Sequence, residues 1–285
     1  VQARTAEVLD SLPIGEAFNW VDRVSIELTT GMLAKLFDFP WEERHKLTYW
    51  SDMGGNVELM KTPEDFALRN AALMEMGAAF GQLWQQKAAN PGKDLISVML
   101  RSDAMSHMSE QEFMGNLILL IVGGNDTTRN SMSAFAYGLS QFPEQRAKLE
   151  ADPSLIPNAV QELIRWQTPL AHMRRTVQED TEIEGVQMKK GDKVVMWYLS
   201  ANRDESVFKD ANKVIVDREN ARRHLSFGYG IHRCVGARVA EMQLTGLIAE
   251  MQKRRLRVNV LEEPERVPAC FVHGYKKMMV ELERY

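Results

Sequence analysis

One cysteine stands where a thiolate can do chemistry. Cys234 lies in the run Phe227-Gly228-Tyr229-Gly230-Ile231-His232-Arg233-Cys234-Val235-Gly236, and a helical pattern from Ala237 to about Arg255 begins directly behind it. A helix start offers unpaired backbone N–H groups and the positive end of the helix dipole, and both favour a thiolate over a thiol. Glycines at 228, 230 and 236 let the loop turn sharply and let a flat group approach the backbone, and Phe227 supplies an apolar wall. The arrangement suits a soft metal carried on a planar cofactor, thiolate-bound haem iron foremost. A lone cysteine is more often a small buried hydrophobe, so the remaining motifs decide between the two readings.

A second unusual stretch sits inside a long helical pattern. Ser109-Glu110-Gln111-Glu112 is a capping box, and the helix it opens runs to Phe142, where Pro143 stops it, about 33 residues or roughly 50 Å. After the apolar run Leu117 to Val122 come Gly123-Gly124-Asn125-Asp126-Thr127-Thr128. Two adjacent glycines cost about 1 kcal/mol each relative to alanine, and an acid and two threonines replace residues that would pack better. Such groups are expected to open the helical hydrogen-bond ladder and leave a groove for a ligand or water. Further on, Glu162-Leu163-Ile164-Arg165 puts an acid and a base on one helix face, a pair worth little on a surface. Thr168 to Arg174 then reads as extended, since Pro169 biases its neighbour out of the helix.

The elements that position these groups are mostly helices. Residues 1 to about 90 read as almost wholly helical, broken at Pro13 and Gly15, at Phe39-Pro40 and at Asn90-Pro91-Gly92. Short strands are expected at 182–183, 186–188, 193–197, 256–260 and 278–282. The fold class is therefore mainly α with small β-sheets. The chain has 285 residues, 45% hydrophobic and 26% charged, with net charge −4, which bounds it to a globular protein with no basic tail for nucleic acid. Two cysteines rule out a disulfide framework, and Cys270 reads as a buried thiol. The longest apolar run is far short of the ~18 residues a membrane span needs, and a cytoplasmic location is expected.

In order and interval these motifs resemble the cytochrome P450 family, whose haem-ligand loop carries the pattern Phe-x-x-Gly-x-x-x-Cys-x-Gly. The resemblance implies the P450 fold and haem b, with Cys234 as axial iron ligand and Phe227, Gly228 and Gly236 shaping the loop. It implies that Thr127 hydrogen-bonds dioxygen and Asp126 relays protons. Glu162 and Arg165 become a buried structural pair completed by Arg218, and Arg174 and His232 become partners of the haem propionates. Leu119, Leu120, Val122, Gly123, Leu170 and Phe271 are expected to line an apolar substrate pocket. The runs 121–132, 164–175 and 224–236 further resemble the bacterial alkane ω-hydroxylase subfamily, which implies terminal hydroxylation of medium-chain n-alkanes. Fatty acids and terpenes remain open as substrates, as does a non-catalytic haem-binding role, against which Asp126-Thr127 speaks. The soluble bacterial type implies a ferredoxin and an NAD(P)H-dependent ferredoxin reductase as electron donors, with Arg222, Arg223, Arg233 and Arg238 as a cationic docking face. Family members carry more chain ahead of where this one begins, so residues 1–285 read as a single haem-thiolate monooxygenase domain lacking its N-terminal part.

Overall fold

The longest element starts where the capping box forms. The Ser109 hydroxyl accepts the Glu112 backbone N–H at 3.3 Å, and the Glu112 carboxylate accepts the Ser109 N–H at 2.8 Å. From there the chain is α-helical over Glu110–Gln141, 32 residues or about 48 Å. The computed structural model describes residues 1–285, apart from the side chains of Val57 and Glu58.

Before this helix come α1 (Gln2–Asp10), β1 (Ala17–Asn19), a π-helical segment (Val21–Ile26) leading into α2 (Glu27–Phe37), α3 (His45–Gly55), α4 (Pro63–Ala89) and α5 (Leu95–Arg101). The long helix is α6 (Glu110–Gln141), followed by α7 (Pro143–Ala151) and α8 (Ile156–Gln167). Then come β2 (Met173–Thr176), β3 (Thr181–Ile183), β4 (Val186–Met188), β5 (Lys193–Met196), α9 (Tyr198–Ala201) and α10 (Ala237–Lys253). The chain closes with β6 (Leu256–Val260), β7 (Glu265–Arg266), β8 (Tyr275–Lys277) and β9 (Met279–Arg284). The sheets are small and antiparallel: a three-stranded β1-β9-β6 sheet and the pairs β2-β5, β3-β4 and β7-β8. The mainly α fold with small sheets is as the sequence indicates. Two elements differ from expectation. β1 interrupts the helical first ninety residues because β9 arrives from the other end of the chain and pairs Ala17 with Glu281 and Asn19 with Met279. Pro143 ends α6 yet starts α7, since its fixed φ and missing N–H suit a first helical position.

Two apolar cores meet along α6. Leu117 and Ile121 join a core with Leu33, Phe37, Trp50 and Phe80, while Met132, Phe135 and Leu139 join another with Trp20, Leu163, Leu247 and Val280. Between them lies a polar stretch in which Asn125, Asp126, Thr128, Arg129, Asn130 and Ser131 are buried. The ladder expected to open there stays closed, and the chain is α-helical throughout Glu110–Gln141. The Thr127 hydroxyl donates to the Gly123 carbonyl and the Ser131 hydroxyl to the Thr127 carbonyl, both at 2.8 Å, and neighbouring helices supply partners such as Thr29, whose hydroxyl donates to Asn125 Oδ1 at 3.0 Å. Gly124 has a packing reason: a Cβ there would stand 2.9 Å from Leu33 Cδ2, so its absence lets α2 cross close to α6.

α8 is fastened to the loop after α9 by a buried charge cluster. Glu162 and Arg165 are both 0% exposed, and Arg218 6%. Arg165 donates from Nε and Nη2 to the Glu162 carboxylate at 2.7 and 2.8 Å, and to the carbonyls of Asn202, Ala211 and Lys213. All five of its N–H groups are thereby used. Arg218 Nε donates to both Glu162 oxygens at 3.0 Å, and the Ile215 N–H adds a further bond. Removing one member of such a cluster strands the others in a dry interior. Arg218→Ala is expected to cost about 3–5 kcal/mol, read as a lower urea midpoint at unchanged slope; a loss below about 1 kcal/mol, the range of an exposed pair, would show that the cluster carries no such weight.

Candidate active site

The cysteine loop is held from behind by α8 and α9. Ser226 Oγ donates to the Ile164 carbonyl at 2.9 Å, and the Leu225 N–H donates to Asn202 Oδ1 at 2.7 Å. Asn202 Nδ2 in turn donates to Ser226 Oγ and Thr168 Oγ1, while its carbonyl accepts from Arg165. One buried asparagine therefore links the charge cluster to the loop. His224 is buried beside it: its Nε2 donates to Gln161 Oε1 and its Nδ1 accepts the Ser226 N–H, which uses the neutral ring on both sides. Burial first, then Arg165, Arg233 and Arg222, holds its pKa down to about 4. The loop closes on itself where the Cys234 N–H donates to the Phe227 carbonyl at 2.8 Å. Gly228 and Gly230 adopt φ of 68° and 73°, the left-handed region that favours glycine. Gly236 does not turn the chain in this way. It caps α10 with φ −87°, and a Cβ there would lie 3.9 Å from Cys234 Sγ, an ordinary contact.

Facing outward, the loop is open. Cys234 is exposed, and around it Ile231 and Val235 are 96% and 92% exposed. Protein behind the sulfur still desolvates it and raises the thiol pKa, against the Gly236 and Ala237 N–H groups and the Arg233 charge. Cys270, expected to be buried, is exposed.

A second wall forms where α8 ends. Thr168 takes φ 46°, a strained value for a β-branched residue, and is held there by its hydroxyl bond to the Arg165 carbonyl and by Asn202. This turns the chain into the 169–172 strap, which pairs with the 271–273 turn: the Ala171 N–H donates to the Phe271 carbonyl, the His273 N–H to the Pro169 carbonyl, and Leu170 bridges to Val272. The His172 ring lies between Trp197 and Phe271, 4.9 and 5.7 Å from them. The bridge sets Leu170 beside Val272, while Phe271 of the same turn meets the His172 ring. On α6, Leu119, Gly123 and Thr127 recur every four residues on one face, and Leu119 is 68% exposed. Val122 and Leu120 depart from the expected lining. A Cβ at Gly55 or Gly54 would come within 3.2–3.3 Å of the Val122 methyls, so these face α3, and Leu120 packs on the α2–α5 core.

Arg174 on β2 and His232 are both exposed, and their side chains have no hydrogen-bond or ion-pair partner among the described residues. His172 Nδ1 is buried without a partner among the described residues. Among the described residues no group of three or more His, Cys, Asp or Glu side chains could hold a bare metal ion. One cysteine sulfur beside exposed apolar side chains, with the Arg174 guanidinium and the His232 ring free of protein partners among the described residues, fits an iron that brings its other ligands on a flat, carboxylate-bearing macrocycle. The residues present fit haem.

Asp126 is 5% exposed. Its Oδ1 accepts from the Ser51 hydroxyl of α3 and from Arg129, each at 3.0 Å, and Arg129 also pairs with Asp52 at 2.9 Å. Burial pushes its pKa up to about 6; Arg129 and Ser51 pull against this, and Asp52 adds to it. Ser51, Asp52, Arg129, Asn202 and His224 had no motif to mark them in the sequence; only the approach of distant segments gives them roles. Between 3.8 and about 6 the folded chain keeps a proton on Asp126 that the unfolded chain releases, so this group makes stability fall as pH rises. His224 acts oppositely: its contribution is complete above 6.5 and is lost as pH falls to about 4. Asp126→Asn should leave the His224 slope alone, so that stability in urea titrations climbs more steeply from about pH 4 to about pH 6. An unchanged slope would contradict a buried, proton-holding Asp126.

Comparison with known proteins gives a consistent family. The cytochrome P450 family profile matches residues 151–269. Linalool 8-monooxygenase of Pseudomonas putida is 37% identical over 286 residues, covering 99% of this chain and 70% of that protein. Methyl-branched lipid omega-hydroxylase of Mycobacterium tuberculosis is 33% identical, covering 91% of this chain and 61% of that protein. The solved structure of cytochrome P450-153 from Novosphingobium aromaticivorans superposes with TM-score 0.93 at 61% identity, covering 99% of this chain and 69% of its own. No helix among the described residues is long and apolar enough to cross a membrane. The chain belongs to the cytochrome P450 family of monooxygenases, whose cofactor is haem b.

Proposed function

We propose that the protein hydroxylates the terminal carbon of medium-chain n-alkanes. The observation that carries this reading is the chemistry of the walls. Leu119 and Gly123 on α6, Leu170 on the strap and Phe271 on the turn offer apolar surface with no charged anchor, as suits a substrate without a head group. The name of the lipid omega-hydroxylase supports oxidation at a chain end. The identity to linalool 8-monooxygenase favours a second reading, a terpene oxidised in the same pocket.

When bound, thiolate-ligated haem supplies the reduction of dioxygen: one oxygen atom enters the C–H bond, the other leaves as water, and two electrons and two protons are consumed. In this reading Cys234 would supply the thiolate that holds the iron, and Arg174 and His232 would hold the carboxylates of the macrocycle. Leu119, Leu170 and Phe271 keep water from the reacting carbon. The Thr127 hydroxyl donates a hydrogen bond to the Gly123 carbonyl, which leaves its oxygen lone pairs to accept a hydrogen bond from the oxygen side. Asp126, with a pKa near neutrality, is suited to take up and release a proton at its carboxylate under working conditions. Electrons come from a ferredoxin reduced by an NAD(P)H-dependent reductase in the bacterial cytoplasm, with exposed Arg222, Arg223, Arg233 and Arg238 as the docking cations.

Titration of the haem-loaded protein with n-octane, lauric acid and linalool should give a high-spin shift strongest for n-octane, with 1-octanol as the product; a shift for linalool alone would replace the alkane reading with the terpene one. In Thr127→Ala, haem content should hold while product formed per electron drops roughly tenfold or more, with peroxide released instead. Full coupling in that variant would remove Thr127 from proton delivery.

A further inference from the structure

The turn that carries Phe271 is clamped from two sides. On one side Gln167, the last residue of α8, takes hold of it three times. Its Nε2 donates to the His273 carbonyl at 2.5 Å, its carbonyl accepts from His273 Nδ1 at 2.6 Å, and its Oε1 accepts the Tyr275 hydroxyl at 2.9 Å. On the other side stands Asn130 of α6, 0% exposed, whose Oδ1 accepts the Tyr275 N–H at 3.0 Å. The backbone of Gly274 lies directly on this amide. A Cβ at Gly274 would stand 2.7, 2.8 and 2.9 Å from Asn130 Nδ2, Oδ1 and Cγ. Asn130 cannot retreat cheaply, being buried on a packed helix and bonded to Tyr275, where β8 begins.

Asn130 Nδ2 is buried and has no partner among the described residues, an unfavourable state for a donor. Leucine would fill similar space without that cost, but it would not hold the Tyr275 N–H. The amide is therefore suited to drawing the turn onto α6, and it does so three residues from Thr127. One helical turn thus carries both Thr127 and the anchor of the Phe271 wall.

We propose that Asn130 and Gln167 are positioning residues that fix how far Phe271 reaches into the pocket, and through it which carbon of the substrate is oxidised. This rests on the reading of Phe271 as a pocket wall. A wall anchored to the same helix as the proton-delivering residue cannot drift relative to it, and displacement of about 1 Å is enough to change reaction rates severalfold to a hundredfold.

The test is a double-mutant cycle in the haem-loaded protein with its redox partners, scored as the ratio of terminal to adjacent-carbon products on n-octane and again on lauric acid. Gly274→Ala should shift the ratio about tenfold and Asn130→Ser in the same direction. The double variant, which regains room for the new methyl with an acceptor still on α6, should lie closer to wild type than the product of the two single effects. Single variants that lower the melting temperature but leave the ratio unchanged, or effects that simply multiply, would overturn the proposal. Should Gly274→Ala fail to fold, Asn130→Ser and Gln167→Leu give the same readout with the glycine intact. Phe271→Ala separates the two levels: no change in ratio or substrate affinity would overturn the pocket-wall reading, whereas a changed ratio there without one in the Asn130 and Gly274 variants would overturn the clamp alone.

Discussion

The structure depends on a single buried carboxylate. Glu162 is enclosed by Arg165 and Arg218, and the rest of the Arg165 guanidinium is spent on carbonyls of the loop between α9 and α10. That loop has little regular structure of its own, only single helical turns, between Asn202 and Gly236. Without hydrogen-bonded elements to hold it, its path is set by donors reaching out from α8. Arg165 holds Asn202, Asn202 holds Leu225 and Ser226, and the next residues lead into the cysteine loop. The charge cluster is costly to desolvate and contributes modest net stability for its size. Its value lies in fixing one path for a segment that apolar packing alone would leave with many.

The middle of α6 obeys a related constraint. Two cores meet there, and a continuous apolar stripe would pack at least as well. The chain instead keeps a run of buried polar groups whose acceptors are met from other elements: Ser51 of α3 for Asp126, Thr29 of α2 for Asn125, and the 275 backbone for Asn130, while the Nδ2 atoms of Asn125 and Asn130 have no partner among the described residues. Because these partners are supplied from outside, the helix need not break to satisfy them. The outcome is a rigid rod whose open face carries Leu119, Gly123 and Thr127 and whose closed face carries a carboxylate with a pKa near neutrality.

Much of this was legible from spacing alone. The capping box, the strands at 256–260 and 186–188, the helix behind Cys234 and the shared face of Glu162 and Arg165 follow from local patterns, and the structure has them where the patterns put them. What was not legible is non-local. β1 exists only because β9 returns to it, and Asn130, Asn202 and His224 look like surface or turn residues until distant segments bury them. The helix centre suggests an opened ladder because propensity counts the cost of two glycines and ignores Leu33, which occupies the space at Gly124. Gly236 was read as a turn residue, yet its backbone is one any residue adopts.

Cys234, the proposed iron ligand, is presented outward by a loop that α8 holds from behind. The most direct test of that assignment is the absorption spectrum of the haem-loaded protein, reduced under carbon monoxide. The wild type is expected to show the red-shifted Soret band of a thiolate-ligated haem, and Cys234→His the shorter-wavelength band of an imidazole ligand at equal haem content. A folded, haem-loaded wild type that shows only the shorter-wavelength band would contradict it.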